Sequence, residues 1–180
     1  MLGITFCAPD RLDQTSEFMF ERCVAGMEKK QTPDYRGLKQ MPADYTEHRY
    51  ADHGDLSWIS NEYPILLVYT EKVVGDLTLR GCLVEHSTLL HDPLDYQLSE
   101  LAAIFDRWAD KQIADGRYVA RSLCGPNNYG WARVIKSTFR QSNGTVLHVS
   151  MFMQTPELDD FVFFYATEVP ADTPDCRESE

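Results

Sequence analysis

Glu85 and His86 stand side by side at the end of an apolar run, a carboxylate and an imidazole that can each accept a proton near neutral pH. Tyr129, a phenol, falls in the turn-rich stretch Gly125-Pro-Asn-Asn-Tyr-Gly130 beside Asn127 and Asn128. The plainer accounts are a solvated Glu-His pair at a strand end and an aromatic in a turn. Histidines also recur beside carboxylates, in Glu47-His48 with Asp52-His53 and in Glu85-His86 with His91-Asp92, with five residues from one His to the next in each set. The ligand types suit a hard or borderline metal, but that spacing fits neither one helix face nor alternate strand positions, so these read as loop histidines. Cys7, Cys23, Cys82, Cys124 and Cys176 are an odd count with wide gaps and no Cys-x-x-Cys pair. They read as reduced thiols in a cytosol, with Cys82 and Cys124 as buried thiols rather than nucleophiles.

These groups must be held by one fold. A chain of 180 residues is long enough for one core and short for two. The expectation is a single domain over residues 1–170 and an acidic tail over 171–180, where Pro170 is followed by Asp, Pro and Glu. With 28 acidic against 17 basic residues the net charge is -11, which excludes bulk nucleic-acid affinity and leaves a basic protein as a possible partner. No run approaches the roughly 18 apolar residues of a membrane span. Met1 to Ala8 lacks a charged n-region and stops at Pro9-Asp10, unlike a signal peptide, so a cytoplasmic setting is expected.

Periodicity then supplies the elements. Gly3 to Ala8 reads as a strand and Leu12 to Lys30 as a helix, with Met19, Phe20, Cys23, Val24 and Met27 on one stripe. Residues 32–54 are polar and irregular, a length that usually hides a short helix or carries function. Leu56 to Ile59 adds a short strand. Tyr63 to Thr70 and Val73 to Val84 read as a hairpin turning at Glu71-Lys72, the first strand apolar on both faces and so interior to the sheet. Asp92-Pro93-Leu94-Asp95 starts a helix whose stripe is Leu94, Leu98, Leu101, Phe105, Trp108 and Gln112, ending at Gly116. Tyr118 to Cys124 is a strand. Trp131 to Arg140 has charges on both faces as a strand, whereas a helix gathers Trp131, Val134, Ile135, Thr138 and Phe139 on one side. The helix separates charge better and is expected, capped by Asn127 or Asn128. Thr145 to Met153 and Phe161 to Glu168 form a closing hairpin.

This order resembles the GNAT superfamily of acyl-CoA-dependent N-acetyltransferases. The residues that carry the likeness are Asn127 and Trp131-Ala-Arg-Val-Ile-Lys-Ser-Thr-Phe139-Arg140, similar to the family's strand-to-helix segment, and the Val73-Val-Gly-Asp-Leu strand. Small acetyltransferase-like proteins of tailed phages are the nearest in pattern. The resemblance implies an α+β fold, a mixed, mostly antiparallel sheet of about six or seven strands flanked by helices. It implies acetyl transfer from acetyl-CoA to an amine on a small molecule or protein, in the host cytoplasm or a virion. Glu85 or His86 would then deprotonate the amine and Tyr129 protonate the leaving thiolate, while Val84, Asn127 and Asn128 would hold the cofactor.

Two other classes remain in view. His91 to Leu98, at the family's pyrophosphate loop, has no glycine and carries Asp92 and Asp95, and Val134 and Thr138 stand where members carry Tyr and Gly. These departures suit a scaffold that has lost catalysis and serves as a binding or virion-associated protein. An unrelated α+β ligand-binding domain is the third class, and it alone requires Trp131 to Arg140 to be a strand.

Overall fold

The computed structural model describes residues 11–29, 31–41, 56–60, 65–87, 98–122, 131–153 and 161–173. The expected first strand, the start of the second helix at Asp92, the segment Leu123 to Gly130 and the end of the acidic tail lie outside them.

The chain opens with a helical run made of α1 (Arg11–Glu17), a π-helical stretch (Phe18–Val24) and α2 (Ala25–Glu28). Of its expected stripe, Met19, Cys23 and Met27 have no exposed surface, Val24 is buried and Phe20 is half-buried, while Phe18, outside the stripe, is buried as well. Arg22 fixes the way out, stacking its guanidinium over Phe18 at 4.5 Å and donating to the carbonyls of Asp34 and Arg36 at 3.1 and 2.8 Å.

Four strands follow as a meander: β1 (Leu38–Gln40), β2 (Leu56–Ser60), β3 (Ile65–Val74) and β4 (Leu77–Ser87). After α3 (Leu98–Ala114) comes a second meander of β5 (Tyr118–Arg121), β6 (Trp131–Ser137), β7 (Thr145–Met153) and β8 (Phe161–Pro170). The two meanders join through their last strands, giving one eight-stranded sheet in the order β1-β2-β3-β4-β8-β7-β6-β5. Among the described residues each half is thus a helical segment followed by four strands, and the seam is the β4–β8 ladder from Gly81–Thr167 to Ser87–Phe161. All seven ladders are antiparallel.

The expected GNAT-like sheet of six or seven strands flanked by helices is not what the chain builds. The sheet is larger and antiparallel in every described ladder, and both described helical segments pack into a single core on one face of it. β4 is zipped to β8, while β5 lies at the far edge, so no slot opens between β4 and β5 for a pantetheine arm.

The expected helix at Trp131–Arg140 is β6. Its inward face is Trp131, Arg133, Ile135 and Ser137, and the charge that argued against a strand is neutralised there. Arg133 reaches across to Asp106 and Asp110, one helical turn apart on α3. Ser137 Oγ accepts the Leu147 N–H at 2.9 Å and donates to the Phe139 carbonyl at 3.1 Å. Thr138, at the family glycine's place, ties down the turn that follows α3, its hydroxyl donating to the Gly116 carbonyl at 2.7 Å and the Arg117 carbonyl at 3.0 Å.

Three smaller expectations also shift. The β3–β4 hairpin turns at Gly75-Asp76, because Gly75 supplies the positive φ of 60° that a two-residue turn needs. The displacement from Glu71-Lys72 is an even number of residues, so the same side chains still point inward. Gly75 is therefore a turn residue and not part of a Val-Gly strand. The irregular stretch after Thr32 contributes the short edge strand β1. Cys23 and Cys82, expected as free thiols, are joined in a disulfide with their Cα atoms 5.5 Å apart, tying the π-helical stretch to β4 across 59 residues of chain. Two buried sulfurs from distant segments meet because both lie on the core side of their elements, which wide sequence spacing conceals. A cross-link closing a loop of this length contributes about 2–4 kcal/mol by restricting the unfolded chain.

Candidate functional site

The two faces of the sheet have different chemistry. On the helix face, Trp58, Leu67, Val84, Ile135, Leu147 and Phe164 meet the helices in a closed core. The opposite face is read directly from register as three rows running across the strands. The first is Leu66, Glu85, Phe163 and Phe152. The second is Val68, Leu83, Tyr165, Ser150 and Val134, and the third is Thr70, Gly81, Thr167, His148 and Lys136. Polarity rises from row to row.

Leu66, Val68 and Leu83 are buried in a small second cluster, with Ile59, Phe163 and Tyr165 against them. Tyr165 is held edge-on to Phe152 at 6.0 Å and lies 6.1 Å from Phe163, which fixes its ring on the face. Beside this cluster lies a cavity of about 70 Å³, lined by Val68, Thr70, Gly81, Leu83, Tyr165 and Thr167. Gly81 makes it. A Cβ built at Gly81 would meet Thr70 Oγ1 at 2.7 Å and Thr167 Cγ2 at 3.3 Å, so the two threonines close in on Gly81 and its bare backbone lines the recess. A volume of this kind has room for about two waters, or an apolar group of similar bulk.

His148 sits one strand beyond the recess, paired with Thr167 on one side and Lys136 on the other. Its Nε2 is buried without a hydrogen-bond partner. Burial first, and then the positive charges of Arg121 and Lys136, push the imidazole down to about 4 from its ordinary 6.5. The ring is therefore neutral at pH 7. Its unfolded counterpart takes up a proton below about 6.5, so acidification favours the unfolded chain: the stability held above pH 6.5 is lost progressively as the pH falls toward about 4. Because the ring is partly exposed, the loss is discounted to about 1–2 kcal/mol. Urea melts at pH 7 and pH 4.5 check it, with His148→Phe expected to lose that part of the pH dependence.

The sequence candidates do not converge here. Glu85 and Val84 are neighbours in β4 and therefore face opposite sides of the sheet. Glu85 is 1 % exposed in the first row, beside the second cluster, and Val84 is 2 % exposed in the helix-side core. His86 has its backbone between Ile65 and Val162. Tyr129, Asn127 and Asn128 lie outside the described residues, as do Glu47, His48, Asp52, His53, His91 and Asp92. Among the described residues no group of three His, Cys, Asp or Glu side chains could hold a metal ion, and no helix is long and apolar enough to cross a membrane.

Sequence reasoning passed over Gly81, Thr167, Tyr165 and His148. A glycine inside a strand pattern is the signal that was available, since it marks a close approach or a gap in the sheet surface. Set against family models, curated proteins and solved structures, the chain matches none.

Proposed function

We propose that the chain is an α+β ligand-binding module that takes the apolar part of a small molecule into the recess over Gly81. The observation that carries this reading is the recess itself: a glycine in the central seam, with the Thr70 hydroxyl and the Thr167 methyl beside it and Val68, Leu83 and Tyr165 completing the lining. A pocket with an apolar floor and few polar groups at its rim is the general form of a small-molecule site. A strand in place of the Trp131–Arg140 helix is also what a ligand-binding domain unrelated to the acetyltransferases requires.

The test is a screen of small apolar fragments by amide chemical shifts. Saturable shifts are expected at Thr70, Gly81 and Thr167. Gly81→Ala puts a methyl group where Thr70 stands and is expected to weaken these fragments about tenfold, at a stability cost of about 1–3 kcal/mol. Undiminished binding by a folded Gly81→Ala protein would sink the reading. Acetyl-CoA, far bulkier than this recess, is expected to leave the same amides unmoved at millimolar concentration.

A further inference from the structure

The third row of the open face continues past the recess without a break: Thr70, Gly81, Thr167, His148, Lys136. Neighbouring strands lie about 4.8 Å apart, so His148 is about 10 Å from Gly81 and Lys136 about 5 Å further. Two features at this end call for a negative group. Lys136 is half-buried and has no carboxylate partner among the described residues, on a chain whose net charge is -11. His148 keeps a ring nitrogen buried with nothing to bond. A buried polar atom without a partner is costly, and the lysine flanking it supplies the charge to draw an anion in. The groups that face His148 from the strands around it are Lys136 on β6 and Thr167 on β8, with Arg121 on β5 adding positive charge and Ser150 flanking it on β7.

We propose that the ligand is a small monocarboxylate with a short hydrocarbon body, the end of its chain in the Gly81 recess and its carboxylate between Lys136 and His148 Nε2. This rests on the recess being a ligand site and adds the chemical class of the ligand. The recess, with room for about two waters, takes only the end of the hydrocarbon chain, and the rest lies along the third row toward His148. Hexanoate is therefore the matched probe. A carboxylate is planar with two acceptor oxygens, one for the ammonium and one for the imidazole N–H. A neutral imidazole suits this in the tautomer that carries its proton on Nε2, which donates without adding a third charge to the Arg121–Lys136 neighbourhood.

The experiment titrates the full chain with hexanoate and with hexan-1-ol, following the amides of Gly81 and Thr167 and the ring protons of His148. Saturable shifts with both are expected, hexanoate binding about tenfold tighter than the alcohol. Bound hexanoate is expected to raise the pH at which His148 titrates, and bound alcohol to leave it unchanged. Lys136→Met and, as a second variant, Lys136→Gln are expected to remove the preference for the acid and to spare the alcohol. Equal binding of acid and alcohol, indifferent to Lys136, overturns the carboxylate site while the recess stands. Failure of both compounds to move Gly81 and Thr167 overturns the recess and this proposal with it.

Discussion

Arg80→Met is expected to lower the folding free energy by about 3–5 kcal/mol, read as a lower urea midpoint at unchanged slope. Glu168 is the reason. Its side chain has no exposed surface, and Arg80 supplies three of its partners: the backbone N–H at 3.0 Å and the guanidinium Nε at 3.1 Å on Oε2, and Nη2 on Oε1. Nη2 also donates to Gln141 Oε1 at 3.2 Å, and Gln141 in turn donates to the Met27 carbonyl at 3.3 Å, so the pair anchors the helical run to the seam strands. Methionine fills the space of the arginine stem but leaves a carboxylate in the core without its counter-charge. The cost is that of the stranded charge, not of the pair. Arg80→Met with Glu168→Leu is accordingly expected to recover most of the loss, because a buried ion pair exchanged for well-packed apolar groups is often neutral. If the double variant were as unstable as the single one, packing around Arg80 and not its charge would be the term that matters.

The parts of the fold that were legible are those whose physics is local. β3 is apolar on both faces from Ile65 to Tyr69 because it is buried on both there, and β7 alternates because Leu147, Val149, Met151 and Met153 face the core. The helical stripe from Met19 to Met27 is visible for the same reason. β6 was misread because the rule against charge on an inward face is a statement about unpaired charge. Arg133 points inward to carboxylates at Asp106 and Asp110, more than twenty residues earlier in the chain, and no window centred on β6 contains them. Read as a helix, that segment gives the order of elements an acyltransferase form and draws the candidate site to Tyr129 and Asn127. The two helix-plus-four-strand halves were hidden too, since a shared topology needs no shared residues. The site was obscured differently. Gly81 was read simply as one strand residue among twelve, yet it is the only position of its row at the seam that offers no side chain, and the row's meaning emerges only when β4, β8, β7 and β6 are laid side by side.

The two faces of the sheet are separable by experiment, and Phe105 separates them. Its ring is fully buried at the centre of the helix-side core, with ring centroids 6.3 Å from Phe20, 5.8 Å from Trp108, 6.0 Å from Trp131 and 6.0 Å from Phe164. Phe105→Ala removes one member of each of these contacts at once and leaves a cavity that rings on four different elements cannot all collapse to fill. The expected loss is about 3–5 kcal/mol by urea denaturation, with Phe105→Leu costing about 1–2 kcal/mol because most of the volume is kept. Domains of this size hold about 5–15 kcal/mol, so a folded population of the alanine variant persists at low temperature. Hydrogen exchange is expected to quicken most in α3 and in β6, whose Trp131 loses its partner, and least in the β3–β4 hairpin. The recess lies across the sheet from this cavity and shares no side chain with it. Ligand affinity in the folded population is therefore expected to stay within about twofold of the parent, as for distant and independent sites. An affinity that fell in step with stability would mean that the sheet transmits helix-side packing to the Gly81 seam, and that the floor of the recess is set by the core beneath it.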